Sequence, residues 1–243
     1  MSAAPIYSVI IPAWNEAGWI EKSLEAVFAA CHAQPESFEV IVVDNNSSDD
    51  TAELARAAGA KVVFEPHQQI ARARNAGAQA AQGQWLIFVD ADTWPEAALI
   101  RATLDQLASG AVSGGGAQVD FDDLPLAIYR LGLRLWNFAS YYGGVAAGCY
   151  LFCQAAALKE IGGFSEKVYA GEEAFFSRGI RRWGKARGLK FHIIRSPKVL
   201  TSGRKTQWFA PWQHVMVALT VLLMPFVIRS KRLSWFWYRR PPQ

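Results

Sequence analysis

The residues Trp85-Leu86-Ile87-Phe88-Val89-Asp90-Ala91-Asp92-Thr93 give the clearest indication of the fold. Five consecutive apolar residues predict a strand that is buried on both faces, as in a parallel sheet. Asp90 and Asp92 follow directly, so both would lie at the carboxyl edge of the sheet, where open α/β folds bind ligands. Two neighbouring carboxylates suit a divalent cation, which can in turn hold the oxygens of a diphosphate. The alternative is that these acids only cap a turn and the next helix.

Strand-like and helix-like segments alternate on both sides of this stretch. Besides residues 85–89, the predicted strands cover residues 7–12, 38–43 and 61–64, and the predicted helices cover residues 16–30, 50–58 and 71–81. Strands separated by helices predict βαβ units. The predicted fold class is therefore α/β, with a Rossmann-like, mostly parallel sheet flanked by helices and followed by an apolar helical tail at the C-terminus.

The length and the cysteine content set further limits. A chain of 243 residues is long enough for one large domain, which we expect over residues 1–206, with halves at 1–110 and 111–206 and a tail at 207–243. The three cysteines form no paired framework, and they show no zinc-finger spacing with the four histidines. The first residues lack the pattern of a secretion signal. We therefore expect a reducing, cytoplasmic setting.

Charge is distributed unevenly along the chain. Residues 1–170 contain 19 acidic and 10 basic side chains, whereas residues 171–243 contain 2 acidic and 15 basic ones. The basic part includes the apolar run 215–228, which is shorter than the ~20 residues needed to cross a membrane. Aromatic and basic residues surround this run: Trp208, Phe209, Trp212, Arg229, Lys231, Arg232, Trp235, Phe236, Trp237, Tyr238, Arg239 and Arg240.

Such a mixture of aromatic, basic and apolar residues suits peripheral contact with the inner face of the cytoplasmic membrane. The alternative is that residues 215–228 pack onto the domain or onto a second subunit. Nucleic-acid binding is not expected, because the basic residues lack a recognised nucleic-acid-binding module.

Polar clusters follow three of the predicted strands, at residues 12–16, 44–50 and 90–92. In a parallel sheet these clusters converge on one edge, where they can form a pocket for a nucleotide. Trp14 is suited to stack on a base, Asp44 to accept a hydrogen bond from a base N–H, and Asp90 to accept from ribose hydroxyls. The alternative is three polar loops without a ligand.

Residues 7–16, 40–51, 71–77 and 88–92 resemble, in order and spacing, the successive motifs of family 2 glycosyltransferases, which have the GT-A fold. The resemblance implies a nucleotide-diphospho-sugar donor, for which we expect uridine as the base. It implies that five residues lie near the base or ribose: Pro12, Trp14, Glu16, Asp44 and Arg74. It also implies Asp90 at the ribose and Asp92 on a divalent metal, Mn²⁺ or Mg²⁺, that bridges the diphosphate.

Residues 158–178 are similar to the acceptor-side segment of the same family, which makes 1–110 the nucleotide-binding half and 111–206 the acceptor half. The family base is usually an Asp after a Glu, and the matching position here is Glu173, so Glu172 and Glu173 are both candidates. Such a carboxylate would take a proton from a sugar or lipid hydroxyl, with inversion at the anomeric carbon. In a predicted helix over 172–183, both acids would also favour the helix dipole.

The segment at residues 201–205 departs from the family pattern. Many relatives have a metal-binding His there, whereas this chain has Thr201 and Ser202, so the third protein ligand stays open. Arg204 and Lys205 follow, and they are candidates for binding the diphosphate.

The predicted function is that of a metal-dependent, inverting glycosyltransferase, which moves a sugar to a hydroxyl on a lipid-linked or cell-surface glycan precursor. The alternative is a non-catalytic nucleotide-sugar-binding or membrane-associated module with the same fold, suggested by Glu173 in place of Asp and by the missing His. A dinucleotide-dependent oxidoreductase is disfavoured, because no Gly-X-Gly-X-X-Gly follows the first strand.

Overall fold

The computed structural model of the chain describes residues 4–209 and 211–238. Within these residues eight strands form one sheet: β1 Tyr7–Ala13, β2 Phe38–Asp44, β3 Lys61–Phe64, β4 Trp85–Val89, β5 Thr93–Trp94, β6 Val112–Phe121, β7 Tyr150–Gln154 and β8 Lys190–Thr201. Their order across the sheet is β3-β2-β1-β4-β7-β6-β8-β5. The predicted α/β class is confirmed.

The sheet is parallel in its first half and mixed in its second. Strand β1 lies between β2 and β4 and runs parallel to both, and β3 continues the parallel part beyond β2. Strand β7 is antiparallel to β4 and β6, and the short β5 is antiparallel to β8, whereas β6 and β8 are parallel. The predicted strands thus form the parallel part, and the antiparallel pairings all involve strands that the sequence pattern did not assign.

Helices cover both faces of the sheet. They are α1 Ile20–His32, α2 Thr51–Ala57, α3 Ile70–Ala80, α4 Ala97–Ala108, α5 Ala127–Gly143, α6 Ala155–Glu160, α7 Glu172–Lys185, α8 Lys205–Trp208, α9 Pro211–Leu223 and α10 Trp235–Tyr238, with a 3₁₀ helix at Pro225–Arg229. Alternate residues of β1 enter two apolar clusters, Val9 with helices α1 and α4, and Ile10 with helices α3, α6 and α7. Because successive side chains point to opposite faces of the sheet and helices cover both faces, every residue of β1 is buried.

Helix α1 begins later than predicted, at Ile20 instead of residue 16. The carbonyl of Glu16 accepts hydrogen bonds from the N–H groups of Trp19 and Ile20, so residues 16–19 form a turn. The N–H of Glu16 donates to Thr51 Oγ1 at 2.8 Å. Because this loop is tied to the start of α2, Glu16 stays at the edge of the sheet.

Glycines in β6 allow neighbouring strands to approach closely. A Cβ atom on Gly115 would lie 1.8 Å from the carbonyl oxygen of His192 in β8, and one on Gly114 would lie 2.5 Å from the carbonyl oxygen of Phe152 in β7. Only glycine fits at such distances. The sequence pattern left residues 111–147 unassigned, and the structure forms β6 and α5 there.

The segment after residue 206 packs on the rest of the protein. The N–H of Tyr169 donates to the carbonyl of Ile228 at 2.6 Å, and the Tyr238 hydroxyl donates to the carbonyl of Tyr169 at 3.0 Å. In the part of the chain that the structure describes, no helix has both the length and the apolar character that a membrane span requires. The domain boundary at 206 stays a prediction, and Arg239 and Arg240 lie outside the described residues.

Candidate active site

A cavity of about 290 Å³ opens at the carboxyl edge of the parallel strands. Residues of both halves and of the C-terminal segment line it, among them Pro12, Trp14, Glu16, Asn45, Arg74, Asp90, Asp92, Gly148, Tyr169, Glu172, Glu173, Arg204, Trp208 and Tyr238. Of the candidate residues named from the sequence whose side chains the structure describes, all but Asp44 are in this set. The register explains the convergence: Ile10 of β1 lies opposite Phe88 of β4, so Asp90 emerges level with Pro12.

Asp44 lies at the same edge but does not line the cavity. It pairs with Ala13 across the sheet, and its Oδ1 accepts a hydrogen bond from the N–H of Ser47 at 2.9 Å. The next residue, Asn45, does line the cavity and was not among the candidates. Its side chain donates to the carbonyl of His67 at 2.6 Å and accepts from the N–H of Gln69 at 2.9 Å. Asn45 therefore holds the loop that leads into α3.

Arg74 is a central cation of the cavity wall. Its side chain is 1% exposed, and its Nη1 donates to Glu172 Oε1 at 2.5 Å. Its Nη2 donates to Asp90 Oδ1 at 3.0 Å and to the carbonyl of Gly148 at 2.8 Å. The arginine thus connects α3 and the end of β4 to the acceptor half. Contact of Arg74 with a base or ribose stays a prediction, because the structure shows the guanidinium bound to groups of the protein.

The two adjacent glutamates at the start of α7 have different surroundings. Glu172 is buried and paired with Arg74. Glu173 lines the cavity and forms no ion pair with any residue that the structure describes. Burial and the negative charge of Glu172 raise the pKa of Glu173 to about 8, although the positive charge of Arg74 opposes this shift. A carboxylate that titrates near neutral pH is suited to act as a general base. Glu173 is therefore the better candidate for the base, and its role stays a prediction.

A second arginine pairs with two further acids that line the cavity. Arg204 Nη2 lies 2.8 Å from Glu16 Oε1 and 2.8 Å from Asp92 Oδ2. The guanidinium also lies 5.4 Å from the ring centre of Trp19 and 5.2 Å from that of Trp208. Such cation–π contacts stabilise a buried positive charge. Arg204 is thus positioned to neutralise Asp92. This contact joins residues that are far apart in the sequence.

The loop after β8 fixes the position of Asp92 without adding an acid. The N–H of Ser202 donates to the backbone carbonyl of Asp92 at 2.9 Å, and the hydroxyls of Thr201 and Thr93 are 2.7 Å apart. Within residues 4–209 and 211–238, no three His, Cys, Asp or Glu side chains form a metal-binding group. The side chain of Lys205 lies outside the described part.

The carboxylates that line the cavity fit one particular kind of metal site. Mg²⁺ and similar hard cations are often bound by one or two carboxylates, with substrate phosphates and water completing the coordination. Asp90 and Asp92 both line the cavity and supply that type of ligand. The residues therefore suit a cation that binds together with a diphosphate, and they do not form a site made of protein ligands alone.

Trp208 and Tyr238 also line the cavity, although the sequence pattern placed both in the tail. For this tail the sequence left two expectations open: contact with a membrane, and packing of residues 215–228 onto the domain or onto a second subunit. No local signal indicates that the two aromatic residues return to the site, because their position depends on the packing of the C-terminal segment.

Comparison with known sequences agrees with this geometry. Residues 8–149 match the family model described as Glycosyl transferase family 2. The glycosyltransferase AglE of Haloferax volcanii is 35% identical over 126 residues, which cover 49% of this chain and 41% of that protein. An uncharacterised glycosyltransferase of Mycobacterium tuberculosis is 38% identical over 109 residues, 45% of this chain and 47% of that protein. The matches span less than half the length of these relatives.

Solved structures share the fold. A mannosyltransferase from Pyrobaculum calidifontis, solved with GDP-Man and Mn²⁺, has a TM-score of 0.64 at 21% identity, over 94% of this chain and 64% of that one. S. aureus TarS 1-349, solved with UDP-GlcNAc, has a TM-score of 0.61 at 19% identity, over 82% of this chain and 58% of that one. Because the family model covers more than half of the chain and the fold agrees, this protein belongs to glycosyl transferase family 2 and has the GT-A fold.

Proposed function

We propose that the chain is an inverting glycosyltransferase that moves a sugar from a nucleotide diphosphate to a hydroxyl group. The observation that carries this proposal is that Asp92, at the end of the parallel sheet, and Glu173, at the start of α7, line the same cavity. One carboxylate is suited to a cation on the diphosphate and the other to the acceptor proton. Both functions are needed for the same transfer.

The proposed donor is a nucleotide-diphospho-sugar with uridine as the base. Pro12 and Trp14 line the cavity beside Asn45, which supports binding of the nucleoside there. Asp44, at the same edge, is the candidate for a base N–H, and Asp90 for the ribose. Similar folds have been solved with nucleotide ligands, including UDP-GlcNAc in S. aureus TarS and GDP-Man in the Pyrobaculum enzyme.

The diphosphate would lie between Asp92 and Arg204. Asp92, with Asp90 beside it, would hold Mn²⁺ or Mg²⁺, and Arg204 is close enough to Asp92 to contact the same phosphates. The bound cation would neutralise the negative charge that develops on the departing diphosphate. The guanidinium of Arg204 contributes positive charge at the same place, and Glu16 keeps it oriented.

Glu173 would act as the general base. Its carboxylate accepts the proton of the acceptor hydroxyl while the hydroxyl oxygen forms a bond to the anomeric carbon. The bond between this carbon and the phosphate oxygen breaks on the opposite face, and the electron pair leaves with the diphosphate. Attack from that side inverts the anomeric configuration. Arg74 supports the step by neutralising Glu172 and Asp90, which leaves Glu173 as the acid that can accept a proton.

The proposed acceptor is a hydroxyl of a lipid-linked or cell-surface glycan precursor, reached at the inner face of the cytoplasmic membrane. The C-terminal segment supports this part of the proposal, because it carries basic residues such as Arg229 and Lys231 and exposes Trp212 and Phe226. Aromatic and basic side chains are typical of peripheral contact with lipid headgroups. Two residues of the same segment, Trp208 and Tyr238, line the cavity.

The test is the Glu173→Gln variant, which keeps the size of the side chain but cannot accept the proton. Transfer from a UDP-sugar should fall roughly 10²–10⁴-fold, while UDP with Mn²⁺ should still raise the melting temperature of the variant. Glu160→Gln, an exposed acid on α6, is the matched control and should keep full activity.

Transfer by Glu173→Gln at the wild-type rate would refute the assignment of the base. If the wild-type protein binds UDP-sugars but neither transfers nor hydrolyses them, the chain is the non-catalytic nucleotide-sugar-binding module.

A further inference from the structure

Helix α5 has its apolar side turned away from the protein. Five residues spaced three or four apart share one face of the helix and are each more than half exposed: Ile128, Leu131, Leu135, Phe138 and Tyr142. We call these five residues the outer stripe. In a helix that packs on a core, a stripe with this spacing is normally the buried side. In α5 it is the side that faces out.

Polar residues hold the opposite side of α5 against the sheet. Asn137 is buried, its amide donates to the carbonyl of Val119 in β6 at 2.9 Å, and its Oδ1 accepts from the N–H of the same residue at 2.9 Å. Ser140 is also buried, and its hydroxyl donates to the carbonyl of Val145 at 2.7 Å. Because these bonds fix the rotation of the helix, the outer stripe cannot turn inward without leaving buried polar groups unpaired.

The charged side chains of α5 are all positive. Arg130 and Arg134 are exposed on α5, and the helix contains no Asp or Glu. The nearest acids before it, Asp122 and Asp123, accept hydrogen bonds from the segment after β8, at Gly203 and at Gln207. Among the residues that the structure describes, neither Arg130 nor Arg134 forms an ion pair, so both guanidinium groups can meet anions outside the protein.

The C-terminal segment, which contacts α5, also exposes apolar side chains. Tyr129, near the start of α5, packs its ring on His214 of α9, with the ring centres 5.3 Å apart. Helix α9 exposes Trp212 and Met216 by more than half, and these residues are one helical turn apart. Two neighbouring helices therefore expose apolar side chains. An exposed surface of this kind marks an interaction site.

We propose that the outer stripe of α5 docks on the surface of a lipid bilayer that contains anionic headgroups. A helix with one apolar face, exposed aromatic rings and basic residues can lie in the plane of the interface, where apolar side chains leave water and arginines meet lipid phosphates. A second copy of this chain fits less well. A two-fold axis near Leu135 would bring the Arg134 residues of the two copies together, and α5 has no acid to neutralise them. The inference does not rest on transferase activity.

Co-sedimentation of the 243-residue chain with vesicles tests the proposal. The protein should sediment with vesicles of equal parts phosphatidylcholine and phosphatidylglycerol, and less with phosphatidylcholine alone. The double variant Leu135→Gln/Phe138→Gln should bind the mixed vesicles roughly tenfold more weakly, because both side chains would otherwise leave water on binding. Phe64→Gln is the matched control: Phe64 is 60% exposed, as against 63% for Phe138, and it lies on β3 at the far edge of the sheet. This control should bind like the wild type.

A second double variant, Ile128→Gln/Leu131→Gln, tests the other end of the outer stripe and should show the same loss. The proposal is overturned if the wild-type protein does not sediment with the mixed vesicles, or if both double variants bind as well as Phe64→Gln. It is also overturned if the protein is a dimer by light scattering and the double variants are monomers, since the occupant of the stripe would then be a second copy.

Discussion

Arg74→Met should destabilise the protein strongly, because it removes the cation that neutralises the acids of the cavity wall. Arg74 is 1% exposed and its partner Glu172 is also buried, so their pair is shielded from water. Removing one partner of such a pair costs about 3–5 kcal/mol. The contact with Asp90 adds less, because this carboxylate is partly exposed. Methionine retains an unbranched, flexible side chain at this position, so loss of charge should dominate the effect.

The measurement is urea unfolding of both proteins, followed by circular dichroism at pH 8 and at pH 5. A loss of 3–5 kcal/mol in the free energy of unfolding would also lower the melting temperature, measured by heating, by roughly 6–20 °C for a chain of this size. The loss should be larger at pH 8, since at lower pH the carboxylates left without a cation can take up protons in the folded state.

Arg72→Met provides the control on the same helix. Arg72 pairs with Glu166 at 3.0 Å, but both side chains are well exposed, so this substitution should cost less than about 1 kcal/mol. Arg74 does not stabilise the cavity wall in this way if Arg74→Met is as stable as Arg72→Met, or if the stability loss of Arg74→Met grows as the pH falls.

Four further predictions concern the cavity and the sheet. Because the folded-state pKa of Glu173 is raised to about 8, kcat/KM should rise with pH up to that value. A carboxyl with a raised pKa costs stability once it ionises, so Glu173→Gln should melt above the wild type at pH 8 and level with it near pH ~4; equal melting at both would contradict this. Without nucleotide, Arg204→Gln should bind Mn²⁺ several-fold more tightly than the wild type, because Arg204 no longer competes with the cation for Asp92. Electron paramagnetic resonance measures this affinity, and an unchanged value would show that Arg204 and the cation do not compete. Gly115→Ala should lose about 1–3 kcal/mol or more in urea unfolding, because its Cβ would overlap a carbonyl of β8; Gly132→Ala, with open space around it on α5, should be no less stable than the wild type.

The parallel half of the sheet could be predicted because its signals are local. The apolar runs at 7–12, 38–43 and 85–89 correspond to β1, β2 and β4 within one residue at either end. The start of α1 could not be predicted, because Glu16 is held in a turn by a contact with Thr51. Strand β6 was not identified, since its glycines are needed for a close approach to other strands that the local pattern does not reveal.

The candidate site was predictable where its residues follow strands. Residues such as Trp14, Asp90 and Asp92 were named because parallel strands deliver their carboxyl ends to one edge. Asn45, Trp208 and Tyr238 were missed. The first follows a strand but has no distinctive chemistry of its own, and the other two reach the cavity only through the packing of the C-terminal segment.

The amino-acid sequence alone determined the α/β class, the family motifs and the presence of acids at the ends of the parallel strands, because these depend on residue type and on periodicity along the chain. Which charges meet depends instead on tertiary packing. It paired Glu172 with Arg74 and Asp92 with Arg204, brought Glu173 to the cavity, and turned the outer stripe of α5 away from the core. These outcomes depend on contacts between residues far apart in sequence, and such contacts are formed only when the helices and strands pack together.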